Sequence, residues 1–474
     1  MKSATNTVPR RSNLNSWSRQ LEDPISLPER TPLDSKRPQV ETLTRAVLLL
    51  AFFGLLFFSF YKVSWIQPLF HVGFSDRWLA LAVVPVCLTI AIGAAFVFAR
   101  FSFGYLVGFY LFVMMAGYFW LNAFSLLDYD HHQALIASAI SIVLFLLPTL
   151  MVRGDIIRPE LSAGVLNRAP DVILAISVIV LIWCALDNFH IIGFDEMEKY
   201  RAMIARPRAA EYAIGNINGA LIPFALACAF MRDRKWIVAA LCVVSLAYYP
   251  VTFTKTAILT APFVVFVAAV SLRFEARIVV ILSLMVPLMI GLAAIGGSAK
   301  QDINSFRQIV FGVMDFRLLA IPAISLDHYF DFFQHHPHTY FCQVSFLKPL
   351  MTCPYSDQLG ALMANEYHIG SMNASLFATE GVASVGPLWM PLSALVCGLL
   401  IGVGNKVAAG LPVRFVLISG AIVPHTLLNV PLSTTFLSNG LALLILLWWI
   451  TPRDQATDAN AIVSPNPSAP SPPA

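Results

Sequence analysis

The stretch AVLLLAFFGLLFFSF, from Ala46 to Phe60, decides the fold class. It carries no charged side chain, and a helix needs about 20 apolar residues to cross a hydrocarbon core about 30 Å thick. We therefore predict that the first membrane span occupies residues 46–66. The 45 residues before it are polar and mixed in charge, too long and too poor in apolar residues for a signal peptide. Residues 1–45 are predicted to be a disordered tail.

The composition extends this prediction to the whole chain. Of its 474 residues, 58% are hydrophobic and 12% are charged, and the mean hydropathy is +0.72. Soluble domains contain about 45–50% apolar and about 25% charged residues, so the polar surface here is too small to cover a soluble core. The net charge of +4 gives no support to nucleic acid as a partner. The 7 cysteines form no CxxC pair or Cys/His run, and we predict neither a metal nor a cofactor.

Apolar stretches recur between the two polar ends, so we predict an all-α, polytopic membrane bundle with about 12 transmembrane helices. The predicted spans are residues 46–66, 78–99, 103–127, 133–152, 171–193, 212–231, 236–252, 256–272, 278–297, 384–403, 413–430 and 433–451. A large loop, residues 298–383, separates the spans of 46–297 from those of 384–451. Residues 452–474 are rich in Pro and Ser and are predicted to be a second polar tail.

Basic side chains set the predicted orientation. With the N-terminus in the cytosol, most Lys and Arg residues face the cytosol, and an even number of spans leaves both termini there. The loop 298–383 then lies outside. Because it is rich in aromatic residues, we expect it to fold against the outer membrane surface, partly as short amphipathic helices. Composition itself implies one partner, the lipid bilayer.

Cys342 and Cys353 are the two cysteines of this outer loop. An oxidising outer compartment favours a disulfide between them. The alternative is a pair of free thiols that pack as small apolar groups.

Ionisable side chains gather at the outer ends of the predicted spans, which makes these ends the predicted functional site. Lys255, in FTKTAIL, stands at the start of a span, where an ammonium and free backbone N–H groups favour a phosphate. Arg206 and Arg208 precede another span and fit a diphosphate through paired hydrogen bonds. Asn216 and Asn218 follow, beside glycines that allow a backbone or a sugar to come close. The alternative is structural: a snorkelling lysine and a basic interfacial belt.

A third group lies in and after the outer loop. Arg317 heads the stretch FRLLAIPAISLDHYFDFF (residues 316–333), His328 lies further along it, and His338 follows in HHPHTYF. Glu380 lies in NASLFATEGVASVGPLW, which leads into the next span. Carboxylates and imidazoles in such places can act as general bases. The alternatives are an amphipathic surface helix with solvated polar residues and, for Glu380, a simple helix cap.

With these residues in place, the chain resembles bacterial polysaccharide polymerases of the oligosaccharide repeat-unit (Wzy) type and, more distantly, O-antigen ligases. The resemblance covers residues 170–450 and rests on RPRAAEYAIGNINGAL, FTKTAIL, the long outer loop with RLLAIP, and ATEGVASVGPLW. Two departures concern the donor site. Lys255 stands where related proteins often have Arg, and the spacing from Arg206 to Gly215 does not match a firm motif.

The resemblance implies a metal-independent, multi-pass glycosyltransferase of the bacterial inner membrane that joins undecaprenyl-diphosphate-linked oligosaccharides at the periplasmic face. A flippase and a chain-length regulator of a polysaccharide export system would be its partners. Without a metal, cations must stabilise the departing diphosphate, each by about 2–4 kcal/mol. The implied roles are catalysis by Arg317, Glu380 and His328, diphosphate binding by Arg206, Arg208 and Lys255, and binding of the rest of the substrate by Asn216, Asn218 and His338.

Three alternatives stay open at this point. A ligase would use the same chemistry but pass a finished glycan to another acceptor. A transporter or flippase is disfavoured because the predicted spans carry no mid-membrane chain of Asp, Glu or Lys and no evident duplication of two halves. A structural partner of a synthesis complex would need none of the outer charges.

Overall fold

The computed structural model describes residues 32–66, 71–74, 76–157, 159, 161–190, 206–296, 305–344, 347–368, 372 and 374–453. Contacts divide the chain into two units, residues 1–45 and 46–474. Every regular element in the described ranges is a helix, and the one bridge between extended residues joins Val72 and Ser125. The all-α fold class is therefore confirmed.

Fifteen helices carry the architecture, of which ten are long and apolar enough to cross a membrane. They are α1 (Pro32–Ile66), α2 (Trp78–Phe98), α3 (Phe103–Phe124), α4 (His131–Met151), α5 (Ala163–Asp187), α6 (Arg208–Met231), α7 (Lys235–Thr252), α8 (Lys255–Val270), α9 (Ala276–Ile295), α10 (Phe306–His335), α11 (Leu359–Tyr367), α12 (Phe377–Ala408), α13 (Val413–Asn429), α14 (Leu432–Leu437) and α15 (Leu441–Ile450). A short 3-10 turn, Lys348–Leu350, precedes α11. The chain is a multi-pass membrane protein.

The predicted N-terminal tail is wrong for its last part, because α1 begins at Pro32 rather than after residue 45. The helix continues backwards from the apolar stretch through polar residues, and these include Pro38, which would be expected to interrupt it. The rest of that tail and residues 454–474 of the C-terminal tail lie outside the described residues.

The turns between helices fall into two groups, which are defined by contacts between residues far apart in the chain. Arg277 Nη1 donates to Ala99 O at 3.2 Å, and Arg414 Nε donates to Ser271 Oγ at 3.2 Å. These contacts place the ends of α2, α8 and α12 and the starts of α3, α9 and α13 together. We call this the first face; it comprises residues 99–102, 152–157, 159, 161–162, 232–234, 271–275, 409–412 and 451–453.

The opposite turns form the second face, which comprises residues 125–130, 253–254, 336–344, 347–368, 372, 374–376 and 430–440. Here the end of α7 meets the start of α6, because Arg206 Nη2 donates to Val251 O at 2.7 Å. The helices on either side of α14 also reach the second face. α13 starts at the first face and ends here, and α15 starts here and runs back to the first face. The helices other than α10, α11 and α14 thus alternate in direction, as the predicted spans require.

The predicted loop 298–383 is wrong in its first half, because it contains the long apolar helix α10 instead of short amphipathic helices. Pro322 misleads the sequence analysis, since a proline inside a helix normally interrupts it. Here the preceding turns, Gly312–Ala320, widen into a π-helix, and Pro322 falls at the start of the regular helix that follows. The missing N–H therefore breaks no regular ladder bond.

Both ends of α10 lie at the second face. At its start, Arg307 Nε donates to Ala294 O, at the end of α9. Near its end, Asp331 Oδ1 accepts from Asp128 N at 3.0 Å, in the turn between α3 and α4. The helix therefore runs along one face of the bundle, and both of its ends lie on the same side as the turn between α3 and α4.

The core is built around α3, which is buried along almost its whole length. Asn405 of α12 joins it to α4: its Oδ1 accepts from Gly104 N at 2.6 Å, and its Nδ2 donates to Thr149 O at 2.7 Å. A Cβ on Gly104 would lie 2.1 Å from Thr149 O, so only glycine permits this approach. The three helices are thereby fixed at the first face, and α10 packs on the other half of α3.

Candidate functional site

Buried carboxyl and imidazole groups concentrate in one part of the bundle. In the described part of residues 46–453, the residues of this kind that are buried as a whole are Asp315, Asp327, His328 and Glu380. The first three lie on α10 and Glu380 lies at the start of α12, near the second face. His425 of α13, which is half-buried, also buries its Nε2 without a hydrogen-bond partner among the described residues. Buried ionisable groups in a membrane bundle are costly and point to function. The candidate site is therefore the region where α10 meets the start of α12.

The start of α12 is broken. Residues Phe377–Ala383 form a π-helix, and Gly386 has φ +73° and ψ 175°, outside the helical region. Pro387 follows, which lacks a backbone N–H, so the Gly–Pro pair ends one helical segment and begins another. A Cβ on Gly386 would lie 2.8 Å from His338 Nε2, so the histidine ring occupies the space beside the break. Burial lowers the pKa of His338.

Glu380 lies on the short segment before this break. Its Oε1 accepts hydrogen bonds from Ser433 N at 3.0 Å and Ser433 Oγ at 3.1 Å. Its Oε2 accepts from Thr379 Oγ1 at 2.5 Å. Ser433 lies in the first turn of α14, so the carboxylate caps a helix, although a different one from the helix that the sequence suggests.

His328 is oriented by its own helix. The ring Nδ1 lies 2.9 Å from Ile324 O, which requires that Nδ1 carry the proton. Nε2 is buried and has no hydrogen-bond partner among the described residues. The ring centroid lies 4.5 Å from that of Tyr367 and 5.7 Å from that of His71. The arrangement presents an unprotonated ring nitrogen that can accept a proton.

A second carboxyl network lies on α10 and was not predicted from the sequence. Asp327 accepts from Ser125 Oγ at 2.9 Å and, through a shorter contact, from the Tyr129 hydroxyl. Tyr367 Oη donates to Asp331 Oδ2 at 2.5 Å. Burial, and to a smaller extent the nearby Tyr118 and Asp327, raises the pKa of Tyr129 well above its usual range. Burial and the contact with Asp331 raise the pKa of Tyr367 in the same way. Both phenols therefore stay protonated and act as donors.

The predicted cations are spread along the second face. Arg206 is half-buried and reaches Val251 O, whereas Arg208 is exposed at the first residue of α6. Arg317 is exposed on the π-helical turns of α10, about 16 Å along the helix from His328. Lys255 begins α8, but its side chain lies outside the described residues.

The side chains of Asn216 and Asn218 form hydrogen bonds within their own helix. Each side-chain amide donates to the carbonyl four residues earlier, at 2.8 and 3.2 Å. The space beside Gly215 and Gly219 is occupied by backbone. A Cβ on Gly215 would lie 2.2 Å from the carbonyl oxygen of residue 438, and a Cβ on Gly219 would lie 2.0 Å from that of residue 439. Of the two predicted uses of these glycines, close approach of a backbone is the one that the structure shows.

Cys342 and Cys353 are joined by a disulfide, with Cα atoms 5.4 Å apart. The remaining cysteines of the chain are free. The disulfide closes a loop on the second face, directly after α10 and beside the break in α12. Among the described residues, no three His, Cys, Asp or Glu side chains come close enough to hold a metal ion together.

The structure brings only some of the predicted site residues together. Glu380, His338 and the disulfide loop meet at the break in α12, and His328 lies on the neighbouring helix. Arg206 lies just before α6 and Asn216 and Asn218 lie in its first half, and contacts that join them to Glu380 or His328 are not among those described. Comparisons with protein-family models, with curated proteins and with solved structures give no match for this chain.

Proposed function

We propose that the chain is a membrane glycosyltransferase that joins undecaprenyl-diphosphate-linked oligosaccharide repeat units at the outer face of the bacterial inner membrane. One observation carries the proposal: of the buried carboxyl and imidazole groups of the described residues 46–453, all but that of His425 lie in α10 and the start of α12, toward the second face. An enzyme that acts on a lipid-anchored substrate needs polar groups at one membrane interface. A transporter needs them along a path between both faces.

We further propose that the second face is extracytoplasmic and that both termini are cytoplasmic. The disulfide of the second face supports this orientation, because disulfides persist in oxidising compartments. Among the described residues 46–453, 11 of the 19 basic residues lie on the first face or at the helix ends beside it, in the way that basic residues favour cytoplasmic loops. These are Arg100, Arg153, Arg168, Arg232, Arg234, Lys235, Arg273, Arg277, Lys406, Arg414 and Arg453.

The proposed reaction forms one glycosidic bond and breaks one bond between sugar and phosphate. An acceptor hydroxyl attacks the anomeric carbon of the donor, and the lipid diphosphate leaves with its negative charge. His328 Nε2 is the best placed base for the hydroxyl proton, because it is unprotonated and has no partner among the described residues. Glu380 accepts three hydrogen bonds from protein, so it fits a role in fixing the site.

The cations of the second face are proposed to hold the diphosphate. Arg206, Arg208, Arg317 and Lys255 keep positive charge on a face where it is otherwise disfavoured. Each well-placed contact with the leaving group contributes about 2–4 kcal/mol to the transition state. The lipid chain would enter laterally between the helices, from the bilayer.

Substitution of these cations tests the proposal. Arg317→Ala and Lys255→Ala should abolish long-chain polysaccharide and leave membrane insertion and protein level unchanged. Lys348→Ala, which removes an exposed cation of the same face, is the matched control and should leave chain length unchanged. Normal chain length in both site variants would overturn the assignment.

A ligase is the second candidate, because the same face and the same leaving group would serve it. A deletion strain separates the two. Loss of a polymerase leaves single repeat units on the acceptor, whereas loss of a ligase leaves long chains on the lipid carrier. Purified protein in liposomes that moves lipid-linked sugar across the bilayer without making a glycosidic bond would overturn both.

A further inference from the structure

The loop after α10 covers the broken helical segment that carries Glu380. The backbone N–H of Thr339 donates to Ala383 O at 2.8 Å, and that of Tyr340 donates to Ser384 O at 3.1 Å. These carbonyls belong to the last turn before Pro387, where the helix's own donors are interrupted. The loop thus supplies hydrogen bonds that the break removes.

Gln343 extends this contact to the residue beside Glu380. Its Nε2 donates to Thr379 O at 3.2 Å and to Ser384 Oγ at 2.7 Å. Ser384 Oγ in turn donates to Thr379 O at 2.6 Å. Thr379 then donates through Oγ1 to the Glu380 carboxylate. One amide group therefore holds both ends of the helical turn that presents this carboxylate.

The disulfide fixes the backbone next to Gln343. Cys342, the residue before it, is fully buried and bonded to Cys353. Tyr340 and Phe341 have positive φ values of 49° and 68°, a conformation that non-glycine residues adopt only when their surroundings impose it. The loop is thus held in one shape by a covalent bond on one side and by the broken helix on the other.

We propose that Gln343 is a positioning residue for Glu380 and that the loop of residues 336–344 and 347–355, which the disulfide closes, holds it in place. The inference rests on the proposed function only for its effect on glycosyl transfer. Its structural part, control of the segment 377–386 by a side chain of the loop, stands independently.

Hydrogen exchange of the full oxidised chain in lipid nanodiscs tests the structural part. Gln343→Glu keeps the shape but removes the N–H donors, so backbone amides of residues 377–386 should exchange at least about tenfold faster, because the hydrogen bonds to Thr379 O and Ser384 Oγ are both lost. The double variant Cys342→Ser/Cys353→Ser should give the same change. Gln358→Glu, an exposed glutamine of the same segment, is the control and should leave exchange unchanged. Wild-type exchange in Gln343→Glu would overturn the positioning role.

Kinetics in proteoliposomes with lipid-linked repeat units tests the functional part. Gln343→Glu should lower kcat by about 100-fold, the effect of a misplacement of about 1 Å, and leave KM unchanged. A purely structural defect would instead reduce the amount of folded protein at unchanged kcat. Faster exchange with full kcat in both Gln343→Glu and Glu380→Gln would overturn the part of Glu380 in the proposed function, while the positioning contact itself would be confirmed.

Discussion

Glu380 and Ser433 are 53 residues apart in the chain, yet the carboxylate accepts hydrogen bonds from both the backbone N–H and the hydroxyl of the serine, at 3.0 and 3.1 Å. The bond ties the broken start of α12 to the first turn of α14. Both elements lie on the second face, so the contact closes the candidate site from the side of the C-terminal helices.

Removal of this cap should destabilise the protein. Glu380→Ala leaves the N-terminus of α14 without its acceptor, and we expect a loss of about 1 kcal/mol in the free energy of unfolding. Glu380→Gln keeps an acceptor oxygen and should lose less. Denaturant unfolding of the purified protein in detergent measures both. Wild-type stability in Glu380→Ala would show that the capping contact does not contribute.

The glycine at the break in α12 should not tolerate a side chain. Gly386→Ala places a Cβ 2.8 Å from His338 Nε2 and demands a positive φ from alanine, so we expect a loss of about 1–3 kcal/mol. Gly54→Ala is the matched control, because nothing lies within 4 Å of its Cβ position and its φ is ordinary. That variant should be neutral or more stable by about 0.5–1 kcal/mol. Unfolding of the two variants side by side decides the point.

The polar contact at the first face should be as sensitive as the core. Asn405→Leu leaves the N–H of Gly104 and the carbonyl of Thr149 without their partner in a buried site, which costs about 1–3 kcal/mol for each group. Asn167→Leu, an exposed asparagine at the start of α5, should change stability by less than about 0.5 kcal/mol. A similar thermal midpoint for the two variants would contradict the role of Asn405 as the joint of three helices.

The spans could be predicted from the sequence because each depends on local composition alone. The grouping of the turns into two faces could be predicted too, since it follows from the order of the spans along the chain. The helix α10 could not, because its passage through Pro322 depends on π-helical turns that no local pattern indicates. The contacts of Asp327 with Tyr129 and of Glu380 with Ser433 join residues far apart in sequence, so the packing of whole helices determines them.

Acid should weaken the contact between His338 and the break in α12. Burial lowers the pKa of His338 from the usual 6.5, so the unfolded chain binds this proton more readily than the folded one. Its contribution to stability is therefore complete above about pH 6.5 and falls as the pH drops toward the folded pKa. The thermal midpoint of the wild type should be lower at about pH 5 than at about pH 8, and this decrease should be smaller in His338→Gln. His335→Gln, an exposed histidine at the end of α10, is the control and should keep the wild-type slope; a slope in His338→Gln equal to that of the wild type would assign the acid sensitivity to other groups.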